Sequence, residues 1–175
     1  MREALASRDT LSVRVFNMNY IIDGHNLISK IPGLSLSMPD DEQRLIELLI
    51  RLGKQGRHKL EVYFDRASIG QAGEHNYGRV RAHFVPQSQL ADDAIRRRLS
   101  TLGRSAKTWV VVSSDRAVQA AAREAHAGGM SAEDFSNLLQ ASLQAGSAPP
   151  VRTADEPLTE AEVREWLAIF KGPRK

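Results

Sequence analysis

Short apolar runs alternate with stretches of helical periodicity along most of the chain. Residues 19–23 (NYIID) are an apolar run that ends on a carboxylate. Asn26 to Asp40 holds Pro32, Gly33 and Pro39 and reads as a long loop. From Asp41 to Gln55, Leu45, Leu48, Leu49 and Leu52 recur at i, i+3, i+4 and i+7, which makes one buried helical face. Asp40, Asp41 and Glu42 sit at its start, where the helix dipole favours acids. Leu60 to Asp65 is a second strand that also ends on an acid, and 66–78, with three glycines, reads as a flexible loop. Val80 to Pro86 is a third strand, with Val80, Ala82 and Phe84 on one face.

Leu90 to Leu102 follows as a helix, and Trp109 to Ser113 as a near-continuous apolar strand suited to a sheet covered on both sides. Arg116 to His126 is helical, with Val118, Ala121, Ala122 and Ala125 inward. A minimal strand fits Gly128-Gly129-Met130. Ser131-Ala132-Glu133-Asp134 then opens a helix that buries Phe135, Leu138, Leu139 and Leu143. Residues 144–157 read as a linker to a last helix carrying Val163, Trp166, Leu167 and Phe170, which docks on the domain. Strands alternating with helices predict an α/β fold with a mainly parallel sheet and right-handed crossovers. The strands at 19–23 and 109–113 are the most apolar and should be central. If they are neighbours, the chain switches direction between them, where ligands bind at carboxyl ends of strands.

Bulk properties narrow the classes. At 175 residues the chain fits one domain, at 18–170, with 1–17 a loosely attached extension and 171–175 a basic tail. Met18, directly before the first strand, is an alternative start. The absence of cysteine removes disulfides and thiolate sites and agrees with a cytoplasmic location. No apolar run approaches the ~20 residues of a membrane span, and 1–17 lack the apolar core of a secretory signal. A pI of about 9.4 with a net charge of only +3 allows a polyanion partner if the positive charges cluster.

The candidate chemistry lies in acids that end strands or open helices. Asp23 follows Ile21-Ile22, and burying a lone carboxylate there costs several kcal/mol unless it is paired, protonated or metal-bound. Asp65 ends the second strand, or merely initiates a turn. Asp92 and Asp93 open a helix. Asp92 shares the face of Ile95 and Leu99, while Asp93 aligns with Arg97 toward solvent and would sit at the rim. Both also suit an ordinary first turn. Asp115 follows Ser113-Ser114 and doubles as a helix cap. Crowded carboxylates repel one another, and a hard divalent cation such as Mg²⁺ or Mn²⁺ removes the conflict. Two acids per metal, with water and phosphate oxygens, make a phosphodiester hydrolase centre. Asn26 and Ser113 would orient water or a phosphate, or else serve as a turn residue and a cap. His25 contacts phosphate or simply covers the turn. Arg66, Arg96 and Arg97 offer a track for a nucleic-acid backbone, and Tyr77 a surface for stacking a base.

Four motifs stand in order: Ile21-Ile22-Asp23-Gly24-His25-Asn26-Leu27, Val62-Tyr63-Phe64-Asp65, Ala91-Asp92-Asp93-Ala94-Ile95 and Val112-Ser113-Ser114-Asp115-Arg116. Together they resemble the NYN domains, specifically the YacP-like branch of the PIN-like ribonucleases, over about 18–170. Ser131 to Phe135 and Val163 to Leu167 are similar to that branch too. The resemblance implies a Rossmann-like, PIN-like α/β/α sandwich and a Mg²⁺- or Mn²⁺-dependent endoribonuclease. It implies that Asp23, Asp92 and Asp115 hold the metal, with Asp93 an alternative to Asp92, Asp65 a further acid, Asn26 near substrate and 66–78 touching it. The branch includes a ribosome-associated messenger-RNA endonuclease, so the ribosome joins RNA as a candidate partner.

Two other classes compete. One is an RNA- or ribosome-binding module whose acids are too few or too far apart to cut. The other is a small Rossmann-like phosphohydrolase. A haloacid-dehalogenase-type enzyme wants a second Asp two residues after the first, where this chain has His25. Neither a P-loop nor a dinucleotide-binding glycine motif is present.

Overall fold

The computed structural model describes residues 18–68 and 70–147. The expected extension at 1–17, the helix bearing Trp166 and the basic tail lie outside the described residues. In chain order the elements are β1 (Asn19–Asp23), α1 (Gly24–Ile28), α2 (Asp41–Gln55), β2 (Lys59–Ala67), β3 (Gly73–Tyr77), β4 (Val80–Pro86), α3 (Ala91–Leu102), a 3₁₀ turn (Gly103–Thr108), β5 (Trp109–Val112), α4 (Arg116–Glu124), β6 (Gly128–Met130) and α5 (Ala132–Ser147).

One six-stranded sheet runs β3-β4-β2-β1-β5-β6. All neighbours are parallel except β3, which returns antiparallel along β4. β1 lies between β2 and β5, pairing Asn19 with both Lys59 and Trp109. The chain steps from β1 outward to β2 and β4, then crosses back over β1 to β5. The switch therefore falls between β1 and β5, as the two most apolar strands foretell.

The alternation of side chains along β1 divides the core in two. Tyr20 and Ile22 face a cluster with Leu27, Leu45, Leu49, Leu60, Val62, Phe64 and Phe135, under α1, α2 and α5. Ile21 faces the other, with Tyr63, Ile95, Leu99, Trp109, Val111 and Val118, under α3 and α4. The result is the three-layer α/β/α sandwich that the sequence leads one to expect.

Three stretches depart from the sequence pattern. The loop expected from Asn26 begins as helix α1, and Asn26 is helical rather than a left-handed turn residue. The loop expected at 66–78 instead contains the end of β2 and all of β3. Its glycines mislead because Gly73 and Gly78 serve an edge strand and a two-residue hairpin turn. Finally, α5 runs on through the first residues of the expected linker to Ser147. After the start of α5, proline first appears at Pro149, so no proline before Ser147 forces the helix to stop.

Candidate active site

β1 delivers Asp23 to the carboxyl edge of the sheet and then bends directly into α1. The bend brings Gly24 against β2: a Cβ there would stand 2.3 Å from the Phe64 ring and 2.9 Å from the Tyr63 carbonyl oxygen. Gly24 is thus required for close packing. Asp23 caps α1, accepting the Asn26 backbone N–H at 3.4 Å. It also accepts the Ser113 hydroxyl at 3.1 Å from the end of β5. Only 8% of Asp23 is exposed. Burial pushes its carboxyl up to about 6 against the pull of those two hydrogen bonds, and repulsion from Asp92 and Asp65 adds to the rise.

The loop from β5 to α4 locks onto this acid. Ser113 Oγ, while donating to Asp23, accepts the Asp115 backbone N–H at 3.1 Å. Asp115 caps α4 by accepting the N–H groups of Ala117 at 2.7 Å and Val118 at 3.2 Å. Between them, the Ser114 N–H donates to Asn26 Oδ1 at 2.8 Å, tying α1 to the loop. The Ser114 hydroxyl donates to Glu133 and accepts the Ala132 N–H at 3.0 Å, which fixes the start of α5.

From the α3 side comes Asp92, half-buried and not engaged in capping. Burial raises its carboxyl most, Asp115 adds to the rise, Arg96 opposes it, and Asp93 and Asp65 add smaller repulsions. Asp23 thus feels Asp92 and Asp65, and Asp92 feels Asp115, which links these acids electrostatically at one end of the sheet. Asp93 turns outward: its side chain is 57% exposed and stands 3.8 Å from Arg96.

His25 is the feature that sequence patterns conceal. Its Nδ1 lies 2.5 Å from Asp65 and its Nε2 2.9 Å from Glu42, so a doubly protonated ring donates to both. The Glu42 hydrogen bond, reinforced by Asp65 and opposed by burial, raises His25 to about 9. A fixed imidazolium therefore joins α1, β2 and α2. Glu42 reads from sequence as a helix-dipole acid; only the tertiary approach of α2 to α1 reveals its partner. Arg66, in a left-handed conformation at φ 60°, borders the same depression beside Asp65.

Not every sequence candidate reaches this edge. Tyr77 pairs with Val80 at the start of β4, the opposite end of the sheet, and packs against the core. Tyr77 also lines a depression with Glu42, Gly70 and His75, next to the His25 ion pair. Ser113 is completely buried, so its hydroxyl supports Asp23 instead of meeting RNA. Arg97 lies on the exposed face of α3 and donates to Gln89 at 2.6 Å.

Among the described residues, no three acid or histidine side chains alone form a metal-holding group. The donor chemistry nonetheless fits a hard cation. Every candidate donor is a carboxylate oxygen, and Asp23 and Asp92 are raised chiefly by burial and further by neighbouring acids. Mg²⁺ commonly takes one or two protein carboxylates and completes its shell with water and phosphate.

The fold is similar to the crystal structure of Rae1 (YacP) from Bacillus subtilis, with a TM-score of 0.62 and 20% identity, covering 86% of this chain and 82% of that one. A tryptophan-to-leucine mutant of the same Bacillus subtilis protein gives a TM-score of 0.62 and 20% identity, over 88% of this chain and 86% of that one. A search of curated proteins gives no match. The family model of the YacP-like NYN domain matches residues 20–166, most of the chain, and the chain belongs to that family.

Proposed function

We propose that this chain is a metal-dependent endoribonuclease that cuts single-stranded RNA by water attack on a phosphodiester. The coarser reading follows from the family, whose members are generally PIN-like nucleases that typically use divalent metals. The finer reading is supported by one observation: Asp23, nearly buried, ends β1 at the switch point and is repelled by Asp92 and Asp65, as Asp92 is by Asp115.

Asp23, Asp92 and Asp115 would hold Mg²⁺ or Mn²⁺, with Asp93 at the rim. Such an ion, when bound, supplies Lewis acidity and lowers the pKa of water. The chain's own residues supply position. Ser113 holds Asp23 from behind, Asn26 pins the Ser114 backbone, and the α4 cap orients Asp115. His25 engages Asp65 and Glu42, so Asp65 shapes the electrostatics of the edge through a partner of opposite charge. Arg66, which lines the depression with Asp65, and Arg96, 3.8 Å from Asp93, are cations available to a phosphate.

The rival, a binding module of RNA or ribosomes, draws support from the lack of a closed three-acid group among the described residues. Labelled single-stranded RNA separates the two. Cleavage should require Mn²⁺ or Mg²⁺ and disappear in Asp23→Asn, while RNA binding persists. RNA bound by the parent but left intact at all metal concentrations would select the binding module. Adding ribosomes to the same assay tests whether they raise the cleavage rate.

A further inference from the structure

The parallel register puts two different electrostatic surfaces at the two ends of the sheet. Asp23 and its companions occupy the carboxyl edge. Asn19, Lys59 and Trp109 begin their strands side by side at the amino edge, with Leu60 next to Val80. Four residue steps, roughly 13 Å, separate the edges along β1. At the amino edge lies an open cleft of about 370 Å³ bordered by Lys59, Arg79, Arg81, Arg98 and Trp109.

Its charge is almost entirely positive. The one carboxylate in the lining, Glu61, is buried and already engaged by Arg98 through two 2.7 Å bonds and by the Tyr63 hydroxyl at 3.2 Å. Arg81 meets Glu74 at 3.2 Å on the surface. Lys59 and Arg79 have no ion pair among the described residues. Arg79 is presented by a two-residue hairpin turn between Tyr77 and Val80, with Gly78 at φ 74°. The carboxyl edge has the opposite balance, with five aspartates and Glu42 against Arg66, Arg96 and the His25 imidazolium. Long-range attraction of a polyanion has to originate elsewhere on the chain.

We infer that the amino-edge cleft is a second RNA contact, which binds the backbone of a substrate whose scissile phosphate lies at the carboxyl edge. This rests on the ribonuclease reading above. The lining favours phosphate over an acidic protein surface. Protein interfaces are anchored by buried aromatic pockets, yet the Trp109 ring is buried and covered by the Arg98 guanidinium at 5.4 Å. What remains accessible is Lys59, Arg79 and Arg81, cations on an open wall, as phosphate contacts require.

The test uses the full chain and fluorescent single-stranded RNA, long enough to span both edges, with affinity measured over a series of salt concentrations. The variant Lys59→Gln/Arg79→Gln changes two exposed residues and leaves the Glu61–Arg98 pair intact. Its slope of log affinity against log salt should be shallower than the parent's by about 1.4, since each phosphate contact to a single strand contributes ~0.7. Cleavage of an oligonucleotide too short to leave the carboxyl edge should stay at the parent rate. An unchanged slope in the folded variant would overturn the proposal even if the parent cuts RNA. If the parent binds RNA with the predicted loss of slope in the variant but never cuts, the cleft stands and the nuclease reading falls. A parent with no salt-dependent RNA affinity overturns both. Earlier elution of the variant from heparin, with no change in its RNA slope, would assign the cleft to an acidic partner and overturn the RNA assignment.

Discussion

Ser113 Oγ donates to Asp23 Oδ2 at 3.1 Å from a position with no solvent exposure. That bond crosses from β5 to β1 at the point where the chain reverses direction in the sheet. It stabilises the charged carboxylate, as does the Asn26 N–H, yet burial outweighs both and Asp23 rises to about 6. An acid held in this state is costly to the folded protein and ready for a cation.

Asp23→Asn should therefore stabilise the metal-free chain. Folded Asp23 titrates near 6, against an ordinary value of 3.8. Between those values the folded state keeps a proton that the unfolded state releases, so stability falls as pH rises through the window. The deficit above it is of order ~3 kcal/mol at most. In EDTA near neutral pH the asparagine variant should be the more stable, by ~1–3 kcal/mol. Near pH 4 the advantage should vanish. Urea unfolding at both pH values measures this, and equal stability of the two proteins throughout would contradict the raised carboxyl.

The sandwich was legible in the sequence because apolar strands and amphipathic helices alternate with little ambiguity. Ile21 and Ile22 report burial on two opposite faces, and Leu45, Leu49 and Leu52 report a single helical stripe. Even the three-residue β6 fits the pattern. Helical geometry favoured Asp92 over Asp93 as the more inward acid, since Asp92 shares the Ile95 face, and the two do differ in exposure. The partners of His25 were not legible. Asp65 is 40 residues away and Glu42 is 17, and no local pattern links them. Ser114 was hidden for the same reason, as its contacts to Asn26 and Glu133 depend on α1 and α5 meeting the β5 loop. β3 was obscured because an exposed edge strand needs no apolar face, and its Glu74, His75 and Asn76 look like loop.

His25→Gln should alter stability in the opposite pH window. Glu42 and Asp65 raise folded His25 from 6.5 to about 9. For a base raised on folding, the contribution is complete below the unfolded value and lost as pH rises through the folded one. The variant should cost ~1–3 kcal/mol near pH 6, within the range of charge-assisted hydrogen bonds. The difference should shrink between pH ~7 and ~9 as the parent loses its proton. Thermal melts across this range test it, and a constant difference would place the loss in packing against Phe64, whose ring centroid lies 5.6 Å away.

Gly24→Ala is the sharpest steric test of the site. The added methyl would sit 2.3 and 2.4 Å from two Phe64 ring atoms. Overpacking of a filled core costs ~1–3 kcal/mol, and the rigid Tyr63 carbonyl at 2.9 Å places this case at the upper end. Phe64→Leu in the same chain should recover part of the loss, because it removes the ring but leaves the carbonyl. A double-mutant cycle by denaturant unfolding gives the coupling. Strict additivity of the two changes would show that α1 shifts away from β2.

Asp92 and Asp93 offer the last contrast, since they are adjacent in sequence and differ in environment. Asp92 is half-buried, and its carboxyl is raised by burial and then by Asp115. Asp93 is largely exposed and 3.8 Å from Arg96. If the acids at this edge gather a cation, Asp92→Asn should abolish RNA cleavage nearly as fully as Asp23→Asn. Asp93→Asn should cost ~10-fold or less and chiefly raise the Mn²⁺ concentration needed, as outer-shell partners do. Cleavage rates measured across a metal titration separate a lost ligand from a weakened one: extra Mn²⁺ restores the Asp93 variant and leaves the Asp92 variant inactive. The reverse order would mean that α3 rotates by about one residue when RNA and metal arrive, moving Asp93 inward and Asp92 away from Asp115.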